Sequence, residues 1–79
     1  MQRRARPLTD LRPGEGGTIH RLSGVAETRH RLLEMGLTCG TPVRVVRTAP
    51  LGDPIELHVR GYRLGLRRAE AANVLVERD

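Results

Sequence analysis

Apolar and polar side chains alternate most regularly between residues 55 and 60. Ile55, Leu57 and Val59 occupy every second position, and charged or polar residues lie between them. A period of two over this length predicts a β-strand with one buried face. The stiff segment that precedes it, with Pro50, Gly52 and Pro54, predicts a turn that delivers the chain to this strand in one register.

Weaker alternation predicts four further short strands. These segments are 18–22, 42–48, 62–66 and 73–77. In the first of them Leu22 breaks the strict period of two. Arg60-Gly61 separates two alternating segments by only two residues, which predicts a tight hairpin.

One segment, 25–36, has helical periodicity. The residues that would form its buried stripe are Val25, Thr28, Leu32 and Met35. Their spacing places them on one face at 3.6 residues per turn. Ser23 and Gly24 are candidate N-terminal caps, and Gly36 is placed to end the helix in the left-handed conformation. Residues 67–72 are long enough for one further helical turn.

Glycine and proline predict the turns between these elements. Pro13-Gly14 and Cys39-Gly40 fit the central positions of type II turns, because glycine takes a positive φ there without strain. Segment 49–52, "APLG", fits a type I turn with Pro at its second position. Leu8 and Leu11, three residues apart, are expected to pack against the body of the domain.

About five short strands, one helix and stiff turns predict a mainly β fold. Their lengths are typical of a small bent barrel of the SH3-like or OB type. We expect a basic tail at residues 1–6 and a single domain over residues 7–79. The predicted core consists of Ile19, Leu32, Val43, Val45, Ile55, Leu57, Val59, Leu64, Leu66, Val74 and Val76.

The charge of the chain is strongly positive. It has 14 basic residues, all of them arginine, against 9 acidic ones, a formal net charge of +5. Such a balance suits nucleic acid, an anionic surface or an acidic protein. Tyr62 is the one aromatic residue, so the stacking platform of single-strand binders is missing, and we do not expect nucleic acid as the partner.

Cysteine usage and hydropathy indicate the compartment. Cys39 is the only cysteine, which excludes an intramolecular disulfide and favours a reducing environment. No apolar run approaches ~18 residues, and the N-terminal residues lack the apolar stretch of a signal peptide. The expectation is a cytoplasmic protein.

Catalytic and metal-binding motifs are missing from the sequence. It contains no CxxC, no HxxxH and no glycine-rich phosphate loop, and its three histidines fall on different predicted elements. His58, Glu56 and Cys39 could in principle bind a metal ion, but their positions in the sequence do not match the ligand spacing of a known type of metal site. We therefore predict no enzymatic activity, no cofactor and no metal ligands.

Residues 31–76, "RLLEMGLTCGTPVRVVRTAPLGDPIELHVRGYRLGLRRAEAANVLV", resemble the FeoA family, the small cytoplasmic companions of the bacterial ferrous-iron transporter FeoB. The resemblance extends over about residues 7–77. Its most specific parts are "MGL" (35–37), "APLGDPIEL" (49–57) and "LRRAEAANVLV" (66–76). Cys39 departs from the pattern, since the family usually has proline there, and Tyr62 lies at a position expected to vary.

The resemblance implies an SH3-like barrel without enzymatic activity. It also implies a role in ferrous-iron uptake through the cytoplasmic GTP-binding region of an FeoB-type transporter, with membrane association only through that partner. A small basic barrel that binds nucleic acid, and a chaperone or regulator that binds Fe²⁺ directly, are the alternatives. The sequence leaves the oligomeric state open, a homo-oligomer included.

A module without a catalytic site must act through surface contacts, so some of its apolar side chains should be exposed beyond what folding requires. Leu33 lies beside the helical stripe, Met35 near the helix end, and Leu51 at the tip of the stiff loop. We predict that these three contact the partner. Arg29 and Arg31 would surround them and steer an acidic partner.

Overall fold

Residues 4–79 are described by a computed structural model of the chain. Six antiparallel strands form one sheet, and they are β1 (Arg6–Pro7), β2 (Gly16–Leu22), β3 (Pro42–Thr48), β4 (Ile55–Val59), β5 (Tyr62–Leu66) and β6 (Val74–Arg78). Two helices, α1 (Ala26–Glu34) and α2 (Arg68–Ala71), and a 3₁₀ turn (Leu8–Asp10) connect them. The strand order across the sheet is β1-β6-β2-β3-β4-β5. The mainly β fold class is confirmed.

Strand β4 has the predicted register. Ile55, Leu57 and Val59 are buried, and Leu57 pairs with Val45 on one side and Leu64 on the other. A strand with a partner on each side satisfies its backbone hydrogen bonds within the sheet. The alternation therefore marked the buried face of this strand correctly.

The irregular pattern in strand β2 has a structural cause. The register between β2 and β6 shifts between Ile19 and Arg21, which is a β-bulge at His20. The bulge leaves His20 and Arg21 both exposed and turns Leu22 back towards the core. A second bulge lies in β3, between Val45 and Arg47. Because bulges bend a strand and increase its twist, these two curve the sheet around its core.

The sheet has one strand more than the five predicted. Arg6 pairs with Val76 and Pro7 with Leu75, which adds the two-residue strand β1 at the edge. The sheet thus begins at Arg6, one residue before the boundary we placed between the tail and the domain. Residues 1–3 of the predicted tail lie outside the described residues.

The core is close to the predicted one. Ten of the eleven predicted core residues are buried, and Leu64 is half-buried against them. The 3₁₀ turn buries Leu8 and Leu11, as expected from their spacing. Leu37 and Ala71 complete the buried cluster. All of these residues belong to one contiguous core.

Helix α1 differs from the prediction at its N-terminus. Val25 is not part of a buried stripe: it is the N-cap residue and is 68% exposed. The cap position is thus neither Ser23 nor Gly24, and no side chain caps the helix with a hydrogen bond. The Ser23 hydroxyl instead donates to Oδ1 of Asn73 at 3.1 Å, so a tertiary contact takes the group that would have capped the helix.

The C-terminal end of α1 and the predicted turns are confirmed. Gly36 has φ +91°, and the Leu37 N–H donates to the Leu32 carbonyl at 3.1 Å, which closes the helix in a Schellman arrangement. Gly14 and Gly40 also have positive φ. Hydrogen bonds close the three turns at 12–15, 38–41 and 49–52.

Cys39→Pro should be neutral or stabilise the fold by up to about 1 kcal/mol. Cys39 precedes Gly40, φ +87°, in a turn that the Thr41 N–H closes onto the Thr38 carbonyl at 3.1 Å, so its φ suits proline. Urea unfolding of both proteins measures the difference. A loss of stability would show that the thiol contact with the His20 carbonyl, 3.1 Å, contributes more than the turn gains.

Candidate functional site

The C-terminal end of α1 is fastened to the β4–β5 turn by two side chains. Arg60 Nε donates to the Gly36 carbonyl at 3.1 Å, and its Nη2 donates to the Thr38 hydroxyl at 2.8 Å. The Tyr62 hydroxyl donates to the Met35 carbonyl. These bonds satisfy carbonyl groups that a helix end leaves without partners. The result is a rigid corner between the helix and the hairpin.

We call Leu33, Met35, Arg60 and Tyr62 the helix–turn corner. Leu33 is 44% exposed and Tyr62 42%, while Met35 is half-buried against the core. Leu33 lies on the helix and Tyr62 on a strand, so both of these partly exposed side chains are attached to rigid elements. An apolar surface on a rigid frame loses little conformational entropy when a partner covers it.

Leu51, on the 49–54 loop, is another exposed apolar residue, separate from the helix–turn corner. Its side chain is 95% exposed, the most exposed large apolar residue among residues 4–79. The Gly52 N–H donates to the Ala49 carbonyl at 2.7 Å, which closes the turn below it. The Arg68 N–H donates to Oδ1 of Asp53 at 3.1 Å and links the loop to α2. The loop is therefore fixed by its own turn and by its contact with α2. The Leu51 side chain at its tip takes no part in the core.

The structure does not bring Leu51 together with the helix–turn corner. Tyr62 begins β5 at the corner, whereas Arg68, just beyond the end of β5, holds the loop. Four residue steps along a strand span ~13 Å. The predicted apolar residues therefore form two patches, one at each end of β5.

The two arginines predicted to surround these residues both have partners within the chain. Arg31 Nη2 lies 2.8 Å from Oε2 of Glu70, in an ion pair that joins α1 to α2. Arg29 Nη1 donates to the Gly24 carbonyl near the helix start. Both side chains remain exposed. Arg60, which sequence reasoning did not select, is the arginine at the helix–turn corner itself.

Tyr62 was also missed as a surface residue. It alternates with Leu64 and Leu66 in the sequence, and that alternation carries no signal of the Met35 carbonyl to which its hydroxyl donates. Its neighbour Gly36 leaves space for the hydroxyl, since a Cβ there would lie 3.0 Å from it. Only the approach of α1 to the hairpin reveals this role.

An open groove of about 460 Å³ lies over β3 and β4. Arg44 and Arg60 line it together with Asp79, so the groove carries charges of both signs. Arg44 Nη1 donates to the Gly14 carbonyl at 2.6 Å, and Arg60 is held as described above. These guanidinium groups are therefore already engaged with the protein's own oxygens.

The groups with metal-binding or nucleophilic chemistry are dispersed. Among residues 4–79 no three His, Cys, Asp or Glu residues are grouped to hold a metal ion. Glu56 lies 3.2 Å from Arg47, and the Cys39 thiol contacts the His20 carbonyl, so neither joins His58. His20 Nδ1 is 3.1 Å from Oε1 of Glu77 on the neighbouring strand. No helix in the described part of the chain is long and apolar enough to cross a membrane.

The fold and these surfaces define a small SH3-like β-domain that presents exposed apolar side chains on rigid loops and helix ends. A family model described as "FeoA domain" matches residues 6–78. The chain therefore belongs to the FeoA family, which is involved in ferrous iron transport.

Three relatives give the degree of similarity. The "Fe(2+) transport protein A/Fe(2+) transporter FeoB fusion protein" of Porphyromonas gingivalis is 40% identical over 70 residues, which are 89% of this chain and 8% of the fusion protein. The FeoA-like protein of Clostridium acetobutylicum has a TM-score of 0.89 at 32% identity, over 99% of this chain and 90% of that one. Stenotrophomonas maltophilia FeoA, solved with zinc and described as an SH3 domain protein, has a TM-score of 0.78 at 26% identity, over 91% and 93%.

Proposed function

We propose that this protein is a non-enzymatic accessory protein of ferrous iron uptake, which binds the cytoplasmic GTP-binding region of an FeoB-type transporter and modulates it. The observation that carries the proposal is the fusion protein of Porphyromonas gingivalis, in which a segment 40% identical to this chain continues into the transporter. A fusion holds two modules at high effective concentration. A separate chain needs a binding surface to replace that tether.

The exposed apolar residues are the candidates for that surface. The helix–turn corner presents the exposed Leu33, and the loop presents Leu51. Folding does not explain their exposure, since the core is complete without Leu33 and Leu51. Arg29 and Arg31 are exposed on the same helix, and of the two Arg29, which bonds to the Gly24 carbonyl and to no carboxylate among the described residues, is the candidate to attract an acidic partner.

Leu33→Ser and Leu51→Ser should each weaken binding to the purified cytoplasmic region of the transporter about 10- to 100-fold. Burying a leucine side chain contributes ~1.5–3 kcal/mol, and each ~1.4 kcal/mol is a factor of ten in Kd. Isothermal titration calorimetry measures the affinity. The unfolding free energy of both variants should stay within ~0.5 kcal/mol of the parent, since both sites are exposed.

Val25→Ser is the matched control, because Val25 is an exposed apolar residue outside both patches. It should bind like the parent. The docking assignment is wrong if both leucine variants also bind like the parent. The proposed partner itself is wrong if the parent protein neither binds that region nor changes its rate of GTP hydrolysis.

An anaerobic titration of the protein alone with Fe²⁺ tests the chaperone alternative. Stoichiometric uptake of the metal without the transporter would favour a direct Fe²⁺-binding role. A titration with duplex DNA at two salt concentrations tests the nucleic-acid alternative, whose binding would fall steeply with salt.

A further inference from the structure

Strand β5 is an open edge of the sheet. It is the last strand in the order, and β4 is its single strand partner within residues 4–79. The register between β4 and β5 continues without a bulge from Val59↔Tyr62 to Ile55↔Leu66. The opposite edge, β1, is two residues long and contains Pro7, which cannot donate to a further strand. The two edges therefore differ in their capacity to accept another strand.

The hairpin turn determines which backbone groups of β5 face outward. Arg60 has φ +51° and Gly61 has φ +83°, as in a two-residue turn of type I′, so Val59 and Tyr62 form a hydrogen-bonded pair. Because hydrogen bonding alternates along an antiparallel pair, Tyr62, Leu64 and Leu66 bond to β4. The N–H and C=O groups of Arg63 and Gly65 point away from the sheet.

The surroundings of this edge are open and positively charged. Gly65 is exposed, and a Cβ built there meets no atom within 4 Å, so no described segment covers the outer face at this position. Arg63 and Arg67 are both exposed. In the described chain, the one carboxylate within 4 Å of their guanidinium groups belongs to Glu56, which lies 3.8 Å from Arg63 and is shared with Arg47.

The two faces of the edge have different chemistry. Arg63 and Gly65 lie on the outer face, whereas Tyr62 and the half-buried Leu64 lie on the side of the core. A strand added here would place alternate side chains against the arginine and against the two apolar residues. A bound strand in which acidic and apolar residues alternate would place its acidic side chains near Arg63 and its apolar side chains near Tyr62 and Leu64.

We propose that the β5 edge binds an extended acidic segment of a protein partner as an additional strand. Backbone bonds to Arg63 and Gly65 would supply affinity, and the arginines would select the charge. A second copy of this chain fits less well, because it would bring the same arginines and a further +5 net charge to the same edge. This inference does not depend on the transporter as partner.

Amide hydrogen exchange with a synthetic probe tests the proposal on the full chain. The probe is an acetylated, amidated peptide of alternating valine and glutamate, and the control peptide has lysine in place of glutamate. A saturating glutamate peptide should slow exchange at the Arg63 and Gly65 amides at least roughly tenfold, as a bound strand closes them to solvent. The amides of Tyr62 and Leu64, already bonded to β4, should change little.

Gly65→Pro and Gly65→Ala form a matched pair for the same measurement. Proline removes the outward N–H at an edge position where a strand tolerates it, while alanine keeps the N–H and adds a methyl group into open space. Proline should lower the affinity for the glutamate peptide at least roughly tenfold, and alanine should leave it nearly unchanged. If the proline variant does not fold, the exchange measurement on the native chain decides alone.

Three results would overturn the proposal. The first is no protection of Arg63 and Gly65 at millimolar glutamate peptide. The second is equal binding of the lysine peptide, which would remove the role of the arginines. The third is protection that appears without peptide and grows with protein concentration, since the occupant would then be a second copy of this chain.

Discussion

Leu57→Ala should lower the free energy of unfolding by about 2–4 kcal/mol. Leu57 is fully buried at the middle of β4, between Val45 of β3 and Leu64 of β5. Truncation removes apolar contacts and leaves a cavity that paired strands on both sides cannot close. For a 79-residue chain this is a large part of the total stability. Urea unfolding followed by far-ultraviolet circular dichroism measures the loss.

His58→Ala is the control for this substitution. His58 is the next residue of the same strand and is exposed, so its truncation should change stability by no more than ~0.5 kcal/mol. Equal effects of the two substitutions would mean that β4 does not present Leu57 to the core. The whole strand would then be shifted by one residue.

Gly17→Ala should destabilise the protein by about 1–3 kcal/mol although it adds a single methyl group. A Cβ at Gly17 would lie 2.5 Å from the Glu77 carbonyl oxygen and 3.1 Å from Cα of Arg78. Both atoms belong to the backbone of β6, with which β2 pairs, so no flexible side chain can move aside. Relief requires a shift of two paired strands, and overpacking of this kind costs stability.

Gly65→Ala serves as the comparison for Gly17→Ala. Both glycines lie in strands, but a methyl group at Gly65 enters open space. Thermal unfolding of the two variants should therefore separate them clearly. If Gly17→Ala unfolds at the parent's temperature, β2 and β6 do not approach each other as closely as described.

The alternating and helical patterns of the sequence determined most of the elements and the core. Alternation at Ile55, Leu57 and Val59 identified a strand and its buried face, because neighbouring side chains of a strand point to opposite sides. Gly36 marked the helix end correctly, since its positive φ is a local requirement. Signals of this kind arise within a few residues of chain, so they can be detected before the fold is known.

Features that depend on a distant segment were not predictable in this way. The bulge at His20 arises from the pairing of β2 with β6, and the helix cap expected of Ser23 is lost to Asn73. Arg31 was selected for a partner surface, but in the fold it pairs with Glu70 of α2. Each outcome depends on a segment about 40 or more residues away in the chain.

The arrangement of the candidate surfaces was decided by the tertiary structure alone. Leu33 and Leu51 are exposed as the sequence suggested, but β5 separates them into two patches. Tyr62 and Arg60 join the first patch only because the hairpin turn meets the end of α1. Side-chain periodicity reports which face of an element is buried. Which elements then lie side by side follows from the strand order, and that order is set by the packing of the whole core.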